Sequence, residues 1–268
     1  MANVFNNFYP TRFSDVAYLE FAAAAIAPQV VNLTWVDPGG AAEAVRIPKF
    51  QYSTAQIDDV SNLIDSPDDA TESTLLLNLD KEKGFHFQVR YAEQDQANVA
   101  LGESILKQRS AALASVIDQF VFAEAANAGT TLSGAVNKAT LVSAIEILNE
   151  NNAPQTDRVL VVNPNAYSDL LNTNDFVRAD AVAGSTINKT GFIGTVLGLE
   201  VFMSNNIPVA TGGDAICMHR VALAMAMLRT IDVRVFDQPR HFSVGYSGRA
   251  IWGQKTIDSN LMVVIDRP

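Results

Sequence analysis

Only one cysteine, Cys217, occurs among the 268 residues. It stands in the apolar run Ala215-Ile216-Cys217-Met218, which reads as a buried thiol, and a single cysteine excludes an intrachain disulfide. Histidine is almost as scarce. His86, His219 and His241 are scattered and lack the His-Glu-x-x-His spacing that sets two ligands on one helix face, so no metal is expected. Long apolar runs are missing as well: the nearest approach to a membrane span, Phe21 to Val31, is short, Ala-rich and broken by Pro28. Met1 to Arg12 shows no basic-then-apolar signal pattern. The expectation is a chain made and assembled in a reducing cytoplasm, with no membrane partner.

Charge is sparse and of one dominant sign. Charged residues make up 18% of the chain, and 19 Lys plus Arg against 29 Asp plus Glu give a formal charge of −10. That balance excludes a protein whose main task is to grip nucleic acid, because phosphate binding needs concentrated positive charge. It leaves room for weak, non-specific contact with nucleic acid. Hydrophobic residues reach 48%. Extensive burial between subunits accounts for such a composition, and so does a large monomeric core; the length allows one large domain or two unequal ones.

Catalytic motifs are absent too. Neither Gly191-x-x-Gly194-x-x-x-Gly198 nor Gly212-Gly213 has dinucleotide or P-loop spacing, and no Lys-Ser or Lys-Thr follows them. Tyr246-Ser247-Gly248 and Gly184-Ser185 do not make a Gly-x-Ser-x-Gly elbow. Carboxylates are numerous enough that pairing two would be arbitrary. No catalytic residue, cofactor or general acid or base is therefore assigned. The acidic stretch with Asp58, Asp59, Asp65, Asp68, Asp69 and Glu72 departs from EF-hand spacing, which leaves a solvated or inter-subunit loop as its reading.

What is present falls into five parts: 1–30, 31–91, 92–134, 135–229 and 230–268. The first mixes the aromatics Phe5, Phe8, Tyr9, Phe13, Tyr18 and Phe21 with Asn and Ala, anchors that suit an arm laid on a neighbour or on the parent domain equally. In the second, Ala44-Val45-Arg46-Ile47-Pro48-Lys49-Phe50 alternates, Leu75 to Asp80 follows the acidic stretch, and Phe85-His86-Phe87-Gln88-Val89 alternates after Gly84. This predicts strands and a long hairpin.

From Gln94 to about Ala126 the pattern predicts one long helix. Val99, Leu106, Leu113 and Phe120 recur every seven residues, backed by Ile105, Val116, Ile117 and Val121, with Glu103, Lys107, Arg109, Asp118 and Glu124 expected on other faces. Asn127-Ala128-Gly129-Thr130 supplies the stop. Leu141, Ile145 and Leu148 then predict an amphipathic helix, Arg158 to Val162 a buried strand, and Asn163-Pro164 the cap and first residue of another helix to Leu171. Beyond Gly212-Gly213, the Ala- and Met-rich Val221 to Met227 reads as a helix. Strands are expected at Asp232–Phe236, His241–Tyr246, Ala250–Gly253 and Leu261–Ile265.

The run Gly191-Phe192-Ile193-Gly194-Thr195-Val196-Leu197-Gly198-Leu199-Glu200-Val201-Phe202-Met203-Ser204-Asn205-Asn206-Ile207-Pro208 is the most informative stretch. Three glycines interrupt β-branched and aromatic residues ahead of a polar turn, the pattern of a tight turn feeding a buried strand. Its wording resembles the corresponding stretch of the major capsid proteins of tailed bacteriophages that share the HK97 fold. The order of segments extends that resemblance over nearly the whole chain.

The resemblance implies an α+β HK97-like fold. Residues 1–30 would be the N-terminal arm, 31–91 the E-loop hairpin with adjoining strands, 92–134 the peripheral domain with its spine helix, 135–229 the axial domain, and 230–268 strands returning through both. The last of these include Gly248-Arg249-Ala250-Ile251-Trp252-Gly253 and Leu261-Met262-Val263-Val264-Ile265. It implies a virion capsid shell, assembled in the host cytoplasm from pentamers and hexamers of this chain, with a portal protein at one vertex; no charged coiled coil precedes the arm, so the expectation is a separate scaffolding protein or none, with decoration proteins a further candidate partner. Phe5, Phe8, Tyr9 and Phe13 in the arm and Phe50, Tyr52 and Leu77 in the hairpin are the expected inter-subunit anchors; Arg46 and Lys49, with Asp58, Asp59, Asp68 and Asp69 in the acidic loop, are the expected charged contacts.

Lys49, Lys81, Lys83 and Asn260 do not define an isopeptide crosslink site, so non-covalent assembly is expected. Encapsulin nanocompartment shells share the fold and remain the alternative. An accessory virion-binding protein and an oligomeric enzyme are further readings from other classes.

Overall fold

A computed structural model describes residues 19–21, 24–34, 44–51, 71–96, 101–172, 176–178, 192–208 and 213–267. Residues 19–21 and 24 are helical, and a single helical turn, α1 (Ala27–Val30), follows them. Strands β1 (Ala44–Gln51), β2 (Thr71–Asn78) and β3 (Lys81–Arg90) follow. The long-helix region holds α2 (Tyr91–Gln96) and α3 (Leu101–Ala123), the latter continued by a 3₁₀ turn through Asn127. After β4 (Thr130–Ser133) come α4 (Lys138–Glu150), β5 (Arg158–Val162), α5 (Pro164–Leu171) and β6 (Phe176–Arg178). The chain ends with β7 (Phe192–Val196), β8 (Leu199–Met203), β9 (Ala215–His219), β10 (Leu223–Gln238), β11 (Ser243–Thr256) and β12 (Met262–Asp266).

Seven strands form a mixed sheet in the order β4-β12-β9-β5-β8-β7-β6. Every residue of β5 and β9 is buried, which explains their unbroken apolar runs: a strand covered on both faces needs no polar alternation. Leu160, Val162, Val201, Cys217 and Val263 face Leu141, Ala144 and Leu148 of α4 and Ala166 and Leu170 of α5. The opposite face, with Val159, Val161, Phe202, Ile216 and Met218, packs on Leu113, Ile117, Val121 and Phe122 of α3 and on Trp252. Local signals set both covering helices. Asn137 and Thr140 close a reciprocal capping box on α4, and Asn163 accepts from Ala166 N at 2.7 Å with Pro164 opening α5.

A second sheet, β10-β11-β3, lies along α3. Phe85 and Phe87 of β3 join Ile231, Val233 and Val235 of β10 around the fully buried Leu106. The expected hairpin is present as the antiparallel pair β1 and β2, with Val45 opposite Leu77 and Gln51 opposite Thr71; its connection, 52–70, lies outside the described residues.

Several expectations are corrected. Val221–Met227 is not a helix: a 3₁₀ turn at Arg220–Ala222 leads directly into β10. Ala and Met favour helices, but tertiary contacts override them here. Leu223 and Met225 point into the main core while Ala224 and Ala226 pack with Ile47 and Leu77, a period of two hidden because both faces are buried. One 16-residue strand therefore crosses the boundary drawn at 229/230. His241 closes a 3₁₀ turn rather than opening a strand. Asp118, expected on a helix face other than the apolar one, has no solvent exposure at all and lies beside Ile117 and Val121 in the core.

Candidate assembly surfaces

Among the described residues, no group of three or more His, Cys, Asp or Glu side chains converges on a metal position. Cys217 lies within the sheet, and burial pushes its thiol up to about 12, which makes it inert as a nucleophile. Burial likewise lowers the pKa of His219, whose Nδ1 accepts from Val221 N at 3.2 Å.

The β1–β2 hairpin offers a candidate assembly surface. Ile47 and the fully buried Leu77 pack with Ala224 and Ala226, so this end of the hairpin is clamped to the strand that also enters the main core. That contact corrects one expectation: Leu77 anchors the hairpin to its own chain and has no surface left for a neighbour. The clamp is close. A Cβ at Gly253 would stand 2.0 Å from the carbonyl oxygen of Asn78, so only glycine lets β11 pass beneath the end of β2.

Beside this root an open cleft of about 620 Å³ is lined by Ala44, Arg46, Leu76, Asn78, Leu79 and Asp80. Arg46 is exposed and sits opposite Leu76, which is 48% exposed. The cleft thus combines an apolar floor with a cation and an anion. Lys49 stands opposite Ser73 and Phe50 opposite Glu72 in the hairpin register. Phe5, Phe8, Tyr9, Phe13, Tyr52, Asp58, Asp59, Asp68 and Asp69 lie outside the described residues.

A second surface escaped the sequence reading. At the turn between β10 and β11, Phe242 is 74% exposed and holds a left-handed backbone, φ 46 and ψ 51. Nearby, the Tyr91 hydroxyl donates to Asp237 at 2.7 Å, and that hydrogen bond raises the phenol's pKa. Phe236 stacks on His86 with centroids 5.6 Å apart. An exposed aromatic in a strained backbone is more than a turn requires. Pro239-Arg240-His241 was the available signal, but the histidine was read as strand.

Comparisons with known proteins agree with this architecture. The model of a family described as phage capsid protein matches residues 72–253. Among solved structures, Mycobacterium phage Che8 superposes with a TM-score of 0.71 at 22% identity, covering 90% of each chain. The capsid structure of cyanophage P-SCSP1u gives 0.70 at 16% identity, covering 91% of this chain and 88% of that one. The bacteriophage PhiM1 mature capsid gives 0.67 at 12% identity, covering 91% and 87%. A search of curated proteins finds no match.

Proposed function

This chain belongs to the phage capsid protein family, and we propose that its copies assemble into the icosahedral shell around a double-stranded DNA genome. The observation that carries this reading is the span of the family match, residues 72–253, which runs from β2 through α3 and six strands of the seven-stranded sheet into β11 and leaves out β12. As a member of that family the protein is structural and not an enzyme.

In this reading the seven-stranded sheet with α4 and α5 is the axial domain, gathered around each local symmetry axis as pentamers and hexamers. The β10-β11-β3 sheet with α3 is the peripheral domain, α3 its spine and β1–β2 the E-loop. Because β10 begins at Leu223, the return to the peripheral domain starts there. The cleft around Arg46 and Leu76 takes an apolar, charge-bearing segment of a neighbouring copy, and the aromatic side chains of residues 1–18 and the acidic 58–72 stretch supply further contacts. DNA is lined weakly, in keeping with the charge of −10. A portal protein at one vertex and separate scaffolding or decoration proteins complete the particle.

The test separates assembly from folding. Phe8→Ala, and separately deletion of 58–72, should leave the protomer's thermal unfolding within a few degrees of the parent while reducing the yield of closed shells severalfold in sedimentation. Normal shell yields from both variants would contradict the assigned contacts.

A further inference from the structure

The carboxylate of Asp118, in the C-terminal third of α3, is fully buried and belongs to no metal-binding group among the described residues. It accepts from Ala27 N at 2.9 Å, from Ile26 N at 3.1 Å and from Asn206 Nδ2 at 3.4 Å. The first two donors open the turn α1, where Ile26 provides no side-chain cap and Pro28 no N–H. A residue 91 positions away in the chain thus does what a neighbouring Ser or Asp ordinarily does. We propose that Asp118 is a proton-linked latch: the segment entering α1 seats on the long helix with uptake of a proton at this carboxyl and unseats with its loss.

Among the described residues the surroundings supply no counter-charge. Phe21, Ala25, Val30, Ala114, Ile117 and Val121 belong to the same apolar cluster as Ile26 and Ala27. The charged groups on the packed elements are engaged elsewhere: Glu20 lies 4.0 Å from Lys107, Lys83 sits 5.6 Å above the Phe120 ring, and Glu124 accepts from Asn127 and Thr256. On the Asn206 side, Ser204 is an uncharged acceptor for Asn206 N. Burial therefore prevails over the three hydrogen bonds and raises the carboxyl from 3.8 to about 6.

Unseating returns the group to water and to its ordinary range. The seated form consequently has the higher pKa, so seating is tightest in acid and weakens as pH rises through about 6. Both charge states can be accommodated. The protonated carboxyl keeps a carbonyl oxygen for Ala27 N, and rotation of the Asn206 amide turns its oxygen toward the new hydroxyl.

Hydrogen exchange on the unassembled full chain tests the latch without relying on the shell reading. After correction for intrinsic exchange, protection of the 24–34 amides should rise about tenfold from pH 7 to pH 5. Asp118→Asn, neutral throughout and still an acceptor, should give a flat profile over that window; Asp118→Ala should lose protection at every pH. A flat wild-type profile, the same slope in Asp118→Asn, or full protection in Asp118→Ala would each overturn the proposal. Should the alanine variant fail to fold, the comparison of wild type with Asp118→Asn decides alone.

Discussion

Leu197 and Phe242 occupy the left-handed backbone region at φ 47 and 46, where an ordinary side chain costs about 1 kcal/mol. Leu197 stands with Gly198, φ 83, in the two-residue turn joining β7 to β8, a geometry for which Asn-Gly is the favoured pair. Leu197→Asn should therefore stabilise the protomer by about 0.5–1 kcal/mol, read from the denaturant midpoint at unchanged slope. Phe242→Gly should relieve comparable strain. Because its ring is 74% exposed, little core contact offsets the gain, and an unfolding midpoint that falls would show that the ring contributes to folding.

The hairpin root and the long helix show how elements are joined. Leu77→Ala removes a fully buried side chain from the cluster it forms with Ile47, Ala224 and Ala226, so the variant should lose about 2–5 kcal/mol. That loss should appear first as faster amide exchange in β1 and β2, with β5 and β9 unchanged; uniform loss across the sheet would mean that the hairpin is not a separate unit.

Much at this scale was legible in the sequence. Asn163-Pro164 starts α5 through local chemistry, and the Leu141, Ile145 and Leu148 period marks α4 because one of its faces remains wet. The alternation in Phe85 to Val89 gives β3 for the same reason. What was not legible depends on contacts between distant segments. Ala224 and Ala226 are small because a hairpin covers them, which made a strand read as a helix. Asp118 matches the charged positions of a solvated face, and only the arrival of Ile26 and Ala27 makes it an internal cap. Leu77 looked like an anchor and is one, but for its own chain.

For the whole molecule, composition acquires its meaning from the layers. A sheet covered on both faces accounts for part of the 48% hydrophobic content within one protomer, while Leu76, Phe242 and the apolar cleft leave surface that assembly would cover. The low charge fits a container that encloses a polyanion without adhering to it. The most direct test of that claim is electron microscopy of the purified chain, paired with size-exclusion chromatography under assembly-promoting conditions. The account predicts closed shells, or regular pentameric and hexameric capsomers that convert to them; a uniform small oligomer that never closes would contradict it.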